Sequence, residues 1–369
     1  MAAGADVLIV GAGPAGIATA IAATQKGLRV TVADAHRPPI IKACGEGILP
    51  EGVFALRQLG IWLDSSVAFP IAGLRFSDEA SSAYGKITRG ASFGLRRSVL
   101  HELLVRRASE LGVQFRWSTR VSELNSTSAQ LDGVHFPFRW LVGADGQKSM
   151  VRKWSGLGPR RVRSARFGFR CHYAVAPWSE FVEVYWGERC QIYVTPTGPD
   201  EICLAVLTSD PQLRVDRALR QFPEVAARLG GACRITEELG NSTVLEYPRD
   251  VAREHVALVG DASFSLDGIT GQGLSLAFQQ AFFLGDALAS EDLGRYQIAH
   301  RRSVQAPARM ARLLLLLDRL AWLRRKVLRM FAENPNLFTR MISSHANHPK
   351  PAPIKASEIF DFGWQVLRA

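Results

Sequence analysis

The sequence has few features that would place the chain among disulfide-stabilised, metal-binding or membrane-spanning proteins. Its five cysteines are scattered, with no C-x-x-C pair and no Cys/His grouping at metal-ligand spacing, so we expect a reduced protein without a metal site. No run reaches the roughly 20 apolar residues that a membrane-spanning helix requires. The first residues lead straight into an apolar segment without a basic stretch and a cleavage site, which predicts a cytoplasmic protein.

Acidic residues are also in deficit: 34 Asp and Glu face 45 Lys and Arg, giving a net charge of +11. This balance suits an anionic partner, a membrane surface or an acidic substrate, or simply a basic face. No nucleic-acid recognition motif accompanies the charge, so we expect no nucleic-acid partner. The hydrophobic content of 47% is ordinary for a globular protein, and 369 residues suffice for two domains.

Apolar patterning predicts an α/β fold that is interrupted and later resumed. An apolar run at residues 6–10, an Ala-rich stretch from Pro14 and a second run at 28–33 indicate strand, helix and strand. Alternating segments beyond residue 163 favour an antiparallel sheet, and a buried-type strand returns at 256–259. We therefore expect a discontinuous dinucleotide-binding domain with a parallel sheet (1–68, 94–162 and 250–300), a mainly antiparallel β domain for the substrate (69–93 and 163–249) and a C-terminal helical basic segment (301–369).

The first predicted strand ends in a G-x-G-x-x-G loop that opens the first helix. The first glycine permits a tight turn, the second lets the backbone approach phosphates, and the third lets the helix pack closely on the sheet. The helix N-terminus offers free N–H groups and positive partial charge to a pyrophosphate. Asp34 ends the second strand, where a carboxylate can bind the adenosine ribose. The predicted cofactor contacts are Gly11, Gly13, Pro14, Ala15, Gly16 and Asp34, and the loop alone leaves FAD and NAD open.

Two later segments resemble motifs of the p-hydroxybenzoate hydroxylase-like flavoproteins. Residues 141–152 resemble the Asp-Gly motif of that superfamily, and residues 256–262 resemble its Gly-Asp motif. The resemblance implies FAD, with Asp261 near the ribityl chain and Arg97 against the pyrophosphate. It also implies that the loop at 266–278 opens a helix whose N-terminus faces the pyrimidine end of the flavin. The cofactor contacts implied in this way are Arg97, Asp145, Gly260, Asp261, Gly271, Gly273 and Leu274.

Residues 42–50 resemble the Cys-Gly loop of the geranylgeranyl reductase branch of the same superfamily. Gly268 departs from that branch, where a proline is usual. The resemblance implies either hydroxylation of a hydrophobic aromatic or polyketide-like substrate, or saturation of double bonds in an isoprenoid or polyene. We expect hydroxylation; a flavin-binding sensor without turnover is a further alternative. Cys44 and Glu46 are the candidate catalytic residues, and Cys44 is also expected to lie against the flavin.

The sequence also gives expectations for the source of electrons and for the position of the substrate pocket. No second G-x-G-x-x-G loop is present, so NAD(P)H is expected to visit the flavin transiently, or a partner reductase to supply electrons. A small hydrophobic substrate is expected between the flavin and the antiparallel sheet. Its predicted contacts are Tyr185, Trp186, Tyr193 and Pro196, for which ordinary sheet core is the alternative.

The C-terminal segment combines apolar and basic residues. Residues 309–329 carry a run of five leucines, Trp322, seven basic side chains and a single acid. Such a helix would either lie on a membrane interface or pack its apolar face on the body with arginines in water. We expect the segment to be helical to about residue 331 and looser beyond it.

Overall fold

The structure is a computed structural model that describes residues 4–125 and 127–346. The strands in chain order are β1 (Ala5–Val10), β2 (Val30–Ala33), β3 (Gly47–Ile48), β4 (Phe69–Pro70), β5 (Gly73–Ser77), β6 (Ser82–Lys86), β7 (Phe93–Gly94), β8 (Gln114–Arg116), β9 (Val121–Leu124), β10 (Ser128–Leu131), β11 (Val134–Gly143), β12 (Pro159–Ala174), β13 (Phe181–Trp186), β14 (Cys190–Gly198), β15 (Glu201–Thr208), β16 (Leu239–Pro248), β17 (Ala252–Arg253) and β18 (Val256–Leu258). The helices are α1 (Pro14–Thr24), α2 (Pro50–Gln58), α3 (Arg97–Glu110), α4 (Met150–Trp154), α5 (Val215–Leu219), α6 (Pro223–Leu229), α7 (Gly273–Ala289), α8 (Leu293–Arg319), α9 (Ala321–Glu333) and α10 (Pro335–Ala346).

The first sheet has a parallel core. Its order is β17-β18-β11-β1-β2-β8, and β10 and β9 add a hairpin beside β11. Strand β1 pairs in parallel with β2 and β11, and β11 pairs in parallel with β18. Val7, Leu8 and Ile9 are all buried because a parallel sheet covered on both faces excludes water from every position of its central strand. The expected α/β core is confirmed.

The second sheet is largely antiparallel and interrupts the first along the chain. Its order is β16-β12-β15-β14-β13-β5-β6, and only the β13–β5 pair named in this order is parallel. The chain enters this sheet twice, at β5–β6 and at β12–β16, and β3, β7 and β4 form a separate small sheet. Strand β12 begins at Pro159, before the border expected at residue 163. The mainly antiparallel second sheet is confirmed.

The C-terminal helices pack on the second sheet. Helix α8 starts at Leu293 and so crosses the border expected at residue 300. Helix α10 continues to Ala346, so the expectation of a looser chain after residue 331 is wrong for the described part. Its Phe338 and Ile342 are buried with Ala83 of β6, and this apolar contact stabilises the extra helix. Residues 1–3 and the end of the predicted segment, 347–369, lie outside the described residues.

Within residues 4–125 and 127–346, no helix combines the length and the apolar character that a bilayer-spanning segment needs.

Candidate cofactor and substrate site

A cavity of about 1140 Å³ runs from the G-x-G-x-x-G loop to the C-terminal helices. The polar end lies at the carboxyl ends of β1 and β2, where doubly wound sheets bind their ligands. All residues expected to bind the cofactor line this cavity except Gly16. Those that line it are Gly11, Gly13, Pro14, Ala15, Asp34, Cys44, Arg97, Asp145, Gly260, Asp261, Gly271, Gly273 and Leu274.

The three glycines of the loop have different surroundings. A Cβ atom on Gly13 would meet nothing within 4 Å, so the backbone there borders open space at the start of α1. A Cβ atom on Gly16 would lie 2.0 Å from the Gly11 carbonyl oxygen, so Gly16 permits the close contact of helix and loop. Gly11 itself has a φ of +106°, which disfavours any L side chain. Gly16 is therefore a packing residue, and Gly13 is the one that leaves room for a phosphate.

Two carboxylates of the predicted site accept hydrogen bonds from backbone N–H groups. Asp34 Oδ2 accepts a hydrogen bond of 2.7 Å from the N–H of Ala12, which ties the second strand to the glycine loop. Asp145 accepts from the backbone N–H groups of Met150 (2.6 Å) and Val151 (3.2 Å) at the start of α4. Both carboxylates also line the cavity, and their hydrogen bonds hold the backbone of the adjoining loops in place.

Arg97 has the character expected of an anion-binding residue. It begins α3 and lines the cavity, and its buried Nε atom has no hydrogen-bond partner among the described residues. Burial lowers the pKa of the Arg97 guanidinium, while the nearby Cys44 and Asp261 oppose that effect. An arginine keeps its charge even when buried, so an anion at this point would compensate a real desolvation cost. A pyrophosphate fits that requirement.

Asp261 lies in the short turn that follows β18. Its Oδ2 atom is 2.6 Å from the ammonium of Lys42, and both side chains line the cavity. The turn rests on buried polar groups: Gln280 Oε1 accepts from the N–H of Gly260 at 2.9 Å and from the hydroxyl of Ser263 at 3.2 Å. Burial lowers the pKa of His300, whose Nε2 lies 3.1 Å from that hydroxyl, to about 3, so the imidazole is neutral. Sequence reasoning missed this support.

Helix α7 points its N-terminus into the cavity. Gly271, in the left-handed region at a φ of +65°, and Gly273 both border open space. The free N–H groups of a helix of 17 residues give this end a positive partial charge. The open glycines, the unpaired Arg97 Nε and this helix end together fit FAD, with the pyrophosphate near Gly13 and the flavin near Gly273.

Glu46 lies at the centre of a buried polar cluster beside the cavity. Its side chain is 1% exposed; Oε1 accepts from the N–H of Arg97 at 3.1 Å, and Oε2 lies 2.6 Å from His172 Nε2. Glu46 adopts a φ of +60°, an unfavourable conformation that the surrounding contacts enforce. Sequence reasoning missed His172 because it lies 126 residues away on β12.

The same cluster offers three atoms at metal-ligand spacing, on Glu46, His172 and Cys203. Arg170 argues against a cation there, since its Nε atom lies 3.9 Å from Glu46 Oε1. Burial also raises the pKa of the Cys203 thiol well above its usual value, so the sulfur stays protonated. The arrangement is better suited to a hydrogen-bonded pair of carboxylate and imidazole. Cys44 Sγ accepts from the N–H of Glu46 at 3.4 Å.

The four predicted substrate contacts fall into two groups. Trp186 and Tyr193 line the cavity. Tyr185 does not: its hydroxyl donates to buried Glu183 at 2.6 Å on the opposite face of the sheet. Pro196 is likewise outside the cavity walls, which Thr195 reaches instead. Successive side chains of a strand point to opposite faces, so one residue of each adjacent pair reaches the cavity.

The far half of the cavity is apolar, and the C-terminal helices build one wall of it. The sequence motifs gave no sign that these helices take part in the site. The apolar side chains that line this half come from both sheet and helices: Leu74, Phe76, Val184, Trp186, Leu314, Leu317, Val327, Leu328, Phe331 and Phe338.

Known proteins match this chain over most of its length. A family model described as FAD binding domain matches residues 4–295. A rifampicin monooxygenase of Rhodococcus hoagii is 28% identical over 78% of this chain, which spans only 64% of that protein. A digeranylgeranylglycerophospholipid reductase of Methanothrix thermoacetophila is also 28% identical, over 78% of this chain and 80% of that one. A flavoprotein/dehydrogenase structure from Cytophaga hutchinsonii, 17% identical, superimposes with a TM-score of 0.80 over 93% of both chains.

Proposed function

The chain belongs to the FAD binding domain family of FAD-dependent oxidoreductases, and on that premise we propose that it is an NAD(P)H-dependent monooxygenase that hydroxylates a hydrophobic aromatic or polyketide-like substrate. The observation that carries the proposal is the cavity, which joins the cofactor loop to an apolar chamber without a break. Bound FAD, reduced by NAD(P)H or by a separate reductase, supplies the activation of O₂ that hydroxylation requires.

The chamber walls support an apolar substrate. Leu317 and Val327, from α8 and α9, face the chamber opposite Val184 of β13. Arg324 also reaches it, but its Nη1 donates to the carbonyl oxygen of Leu317 at 3.3 Å. Walls of this kind favour transfer of hydrocarbon from water by roughly 25 cal/mol per Å². They also exclude water, whose access would favour loss of the activated oxygen as hydrogen peroxide.

One polar group in the wall is placed to orient a phenolic substrate. The Tyr193 hydroxyl lies 3.0 Å from Gln191 Oε1, and Gln191 Nε2 donates to Asp318 at 2.9 Å. Burial raises the pKa of the Tyr193 phenol, so it remains a neutral hydrogen-bonding group. A substrate hydroxyl beside it would hold one end of the molecule while the apolar remainder fills the chamber.

The test is to reduce the purified flavoprotein, add O₂ and an alkylphenol, and weigh the product. A gain of one oxygen atom is expected. Leu317→Trp should narrow the chamber and lower turnover at least about tenfold with flavin content unchanged. Ile298→Trp is the matched control because Ile298, also on α8, is 54% exposed and does not line the cavity. Release of all reducing equivalents as hydrogen peroxide, with every phenol unchanged, would contradict the proposal.

A second candidate, saturation of an isoprenoid or polyene double bond, is favoured by the buried Glu46–His172 pair. Saturation needs a hydride from reduced flavin and a proton from the protein. Cys44 and Glu46 line the cavity, and His172 at 2.6 Å can return a proton to the carboxylate. Anaerobic incubation of the previously reduced flavoprotein with a polyene would then yield oxidised flavin and a product with two more hydrogens. Glu46→Gln should abolish that product and leave oxygen insertion by the first mechanism largely intact.

A further inference from the structure

Three large apolar side chains of α8 and α9 remain exposed after the helices have packed on the sheet. Leu313, Leu316 and Trp322 are 40%, 44% and 60% exposed within the described part of the chain. On α8, Leu316 lies two residues after the buried Leu314 and so on the other side of the helix, while Leu313, one turn before the buried Leu317, lies at the edge between the buried and the exposed faces. Packing of α8 and α9 on the rest of the protein therefore buries one face of these helices and leaves apolar side chains exposed on another.

The exposed charged residues within 309–329 are all basic. Arg309, Arg319 and Arg325 are exposed three or four residues from an exposed apolar side chain, and Arg329 is exposed two turns beyond Trp322 on the same side of α9. Asp318, the single acid of residues 309–329, points inward and binds Gln191 Nε2 at 2.9 Å. The surface thus presents arginine and apolar side chains together, with no exposed acid in that stretch.

This surface adjoins the apolar chamber. Leu313 both lines the cavity and is 40% exposed, and Leu323, next to exposed Trp322, also lines it. At Leu313, a single side chain therefore separates the outer face of the helices from the chamber. Because one residue belongs both to this surface and to the cavity wall, the surface is part of the site's surroundings and not a remote patch.

We propose that this surface, formed by Arg309, Leu313, Leu316, Arg319, Trp322, Arg325 and Arg329, docks on an anionic phospholipid bilayer. Arginines bind headgroup phosphates while leucine and tryptophan side chains enter the interface, as in helices that lie in the membrane plane. The net charge of +11 adds long-range attraction to an anionic surface. The inference rests on the proposed function in one respect, since it gives the bilayer as the source of the apolar substrate.

Docking is tested by co-sedimentation of the FAD-loaded protein with vesicles, without turnover. We expect binding to phosphatidylcholine vesicles that contain phosphatidylglycerol, weaker binding to phosphatidylcholine alone, and release as salt is raised. Each basic residue at an anionic surface contributes roughly a fivefold factor in affinity, so Arg325→Gln with Arg329→Gln should weaken binding about 25-fold. Trp322→Ser should weaken it at least about fivefold.

Matched controls lie on other elements. Arg106→Gln on the exposed side of α3 and Trp62→Ser, 70% exposed after α2, should leave vesicle binding unchanged. An unchanged flavin spectrum shows that each variant is folded. A wild-type protein that stays in the supernatant, or equal losses in control and surface variants, would overturn docking. Concentration-dependent dimerisation that Trp322→Ser abolishes, without vesicle binding, would assign the surface to a second copy instead. Because no turnover is measured, these outcomes are independent of the hydroxylation assay.

Discussion

Two glycines three residues apart should respond to the same substitution in opposite ways. Gly13 has a φ of −71° and a ψ of 173°, which any residue adopts, and a Cβ there would meet nothing within 4 Å. Gly13→Ala should therefore leave the apoprotein as stable as before, or more stable by about 0.5 kcal/mol. A Cβ on Gly16 would lie 2.0 Å from the Gly11 carbonyl oxygen, so Gly16→Ala must displace α1, at a cost of about 1–3 kcal/mol.

For the affinity of the folded protein for FAD, the two variants are expected in the opposite order: Gly13→Ala should be the more damaging. A methyl group on Gly13 would stand between the backbone and the pyrophosphate. Loss of one hydrogen bond to a charged group costs about 1.5–3 kcal/mol, so Gly13→Ala should raise the Kd for FAD roughly 10- to 150-fold. The assay pairs quenching of FAD fluorescence on apoprotein with thermal unfolding by circular dichroism. Gly13→Ala that binds FAD like the wild type would refute the placement of the pyrophosphate, and equal destabilisation by both variants would refute the packing argument.

Three further outcomes are expected. Asp261→Ala should reduce bound flavin at least about tenfold in purified protein, measured by absorbance, while Asp286→Ala, at an exposed salt bridge with a lysine, should not. Gln280→Leu leaves the buried N–H of Gly260 without its acceptor and should lower the free energy of unfolding by roughly 1–3 kcal/mol and reduce flavin content with it. Burial raises the pKa of Glu51 from 4.5 to about 7, so the folded state loses stability as pH rises through that range. Glu51→Gln should thus leave the free energy of unfolding unchanged at pH 4 and raise it by about 2 kcal/mol at pH 8. This value is smaller than the full pKa shift would give, because the side chain is partly exposed to solvent. Denaturant titrations at both pH values measure it, and an equal gain at both would contradict the burial argument.

Most of the residues predicted as cofactor contacts line the cavity, and their positions follow from local sequence. Gly11, Gly13 and Gly16 act within one strand–turn–helix unit, and the spacing alone fixes which of them turns the chain and which packs. Asp261 and Gly273 were found through two short motifs at the ends of a strand and the start of a helix. At these positions the amino-acid type and its neighbours in sequence specify the backbone.

The substrate end depended on contacts that no local pattern contains. Tyr185 and Trp186 are adjacent and both aromatic, yet strand pleating sends one to Glu183 and the other to the cavity. The direction is set by which face of the sheet receives α8–α10, and that contact joins parts of the chain more than a hundred residues apart.

By itself, the amino-acid sequence determined the α/β core, the interrupted second sheet and the dinucleotide loop, since these follow from apolar periodicity and from glycines with few conformational alternatives. Only the tertiary structure decided that Glu46 meets His172 across 126 residues, and that the C-terminal helices wall the chamber with one face and leave arginines, Leu316 and Trp322 on another. Those arrangements depend on long-range packing. Residues of similar chemistry occur at many positions of the sequence, and only the folded structure determines which of them come into contact.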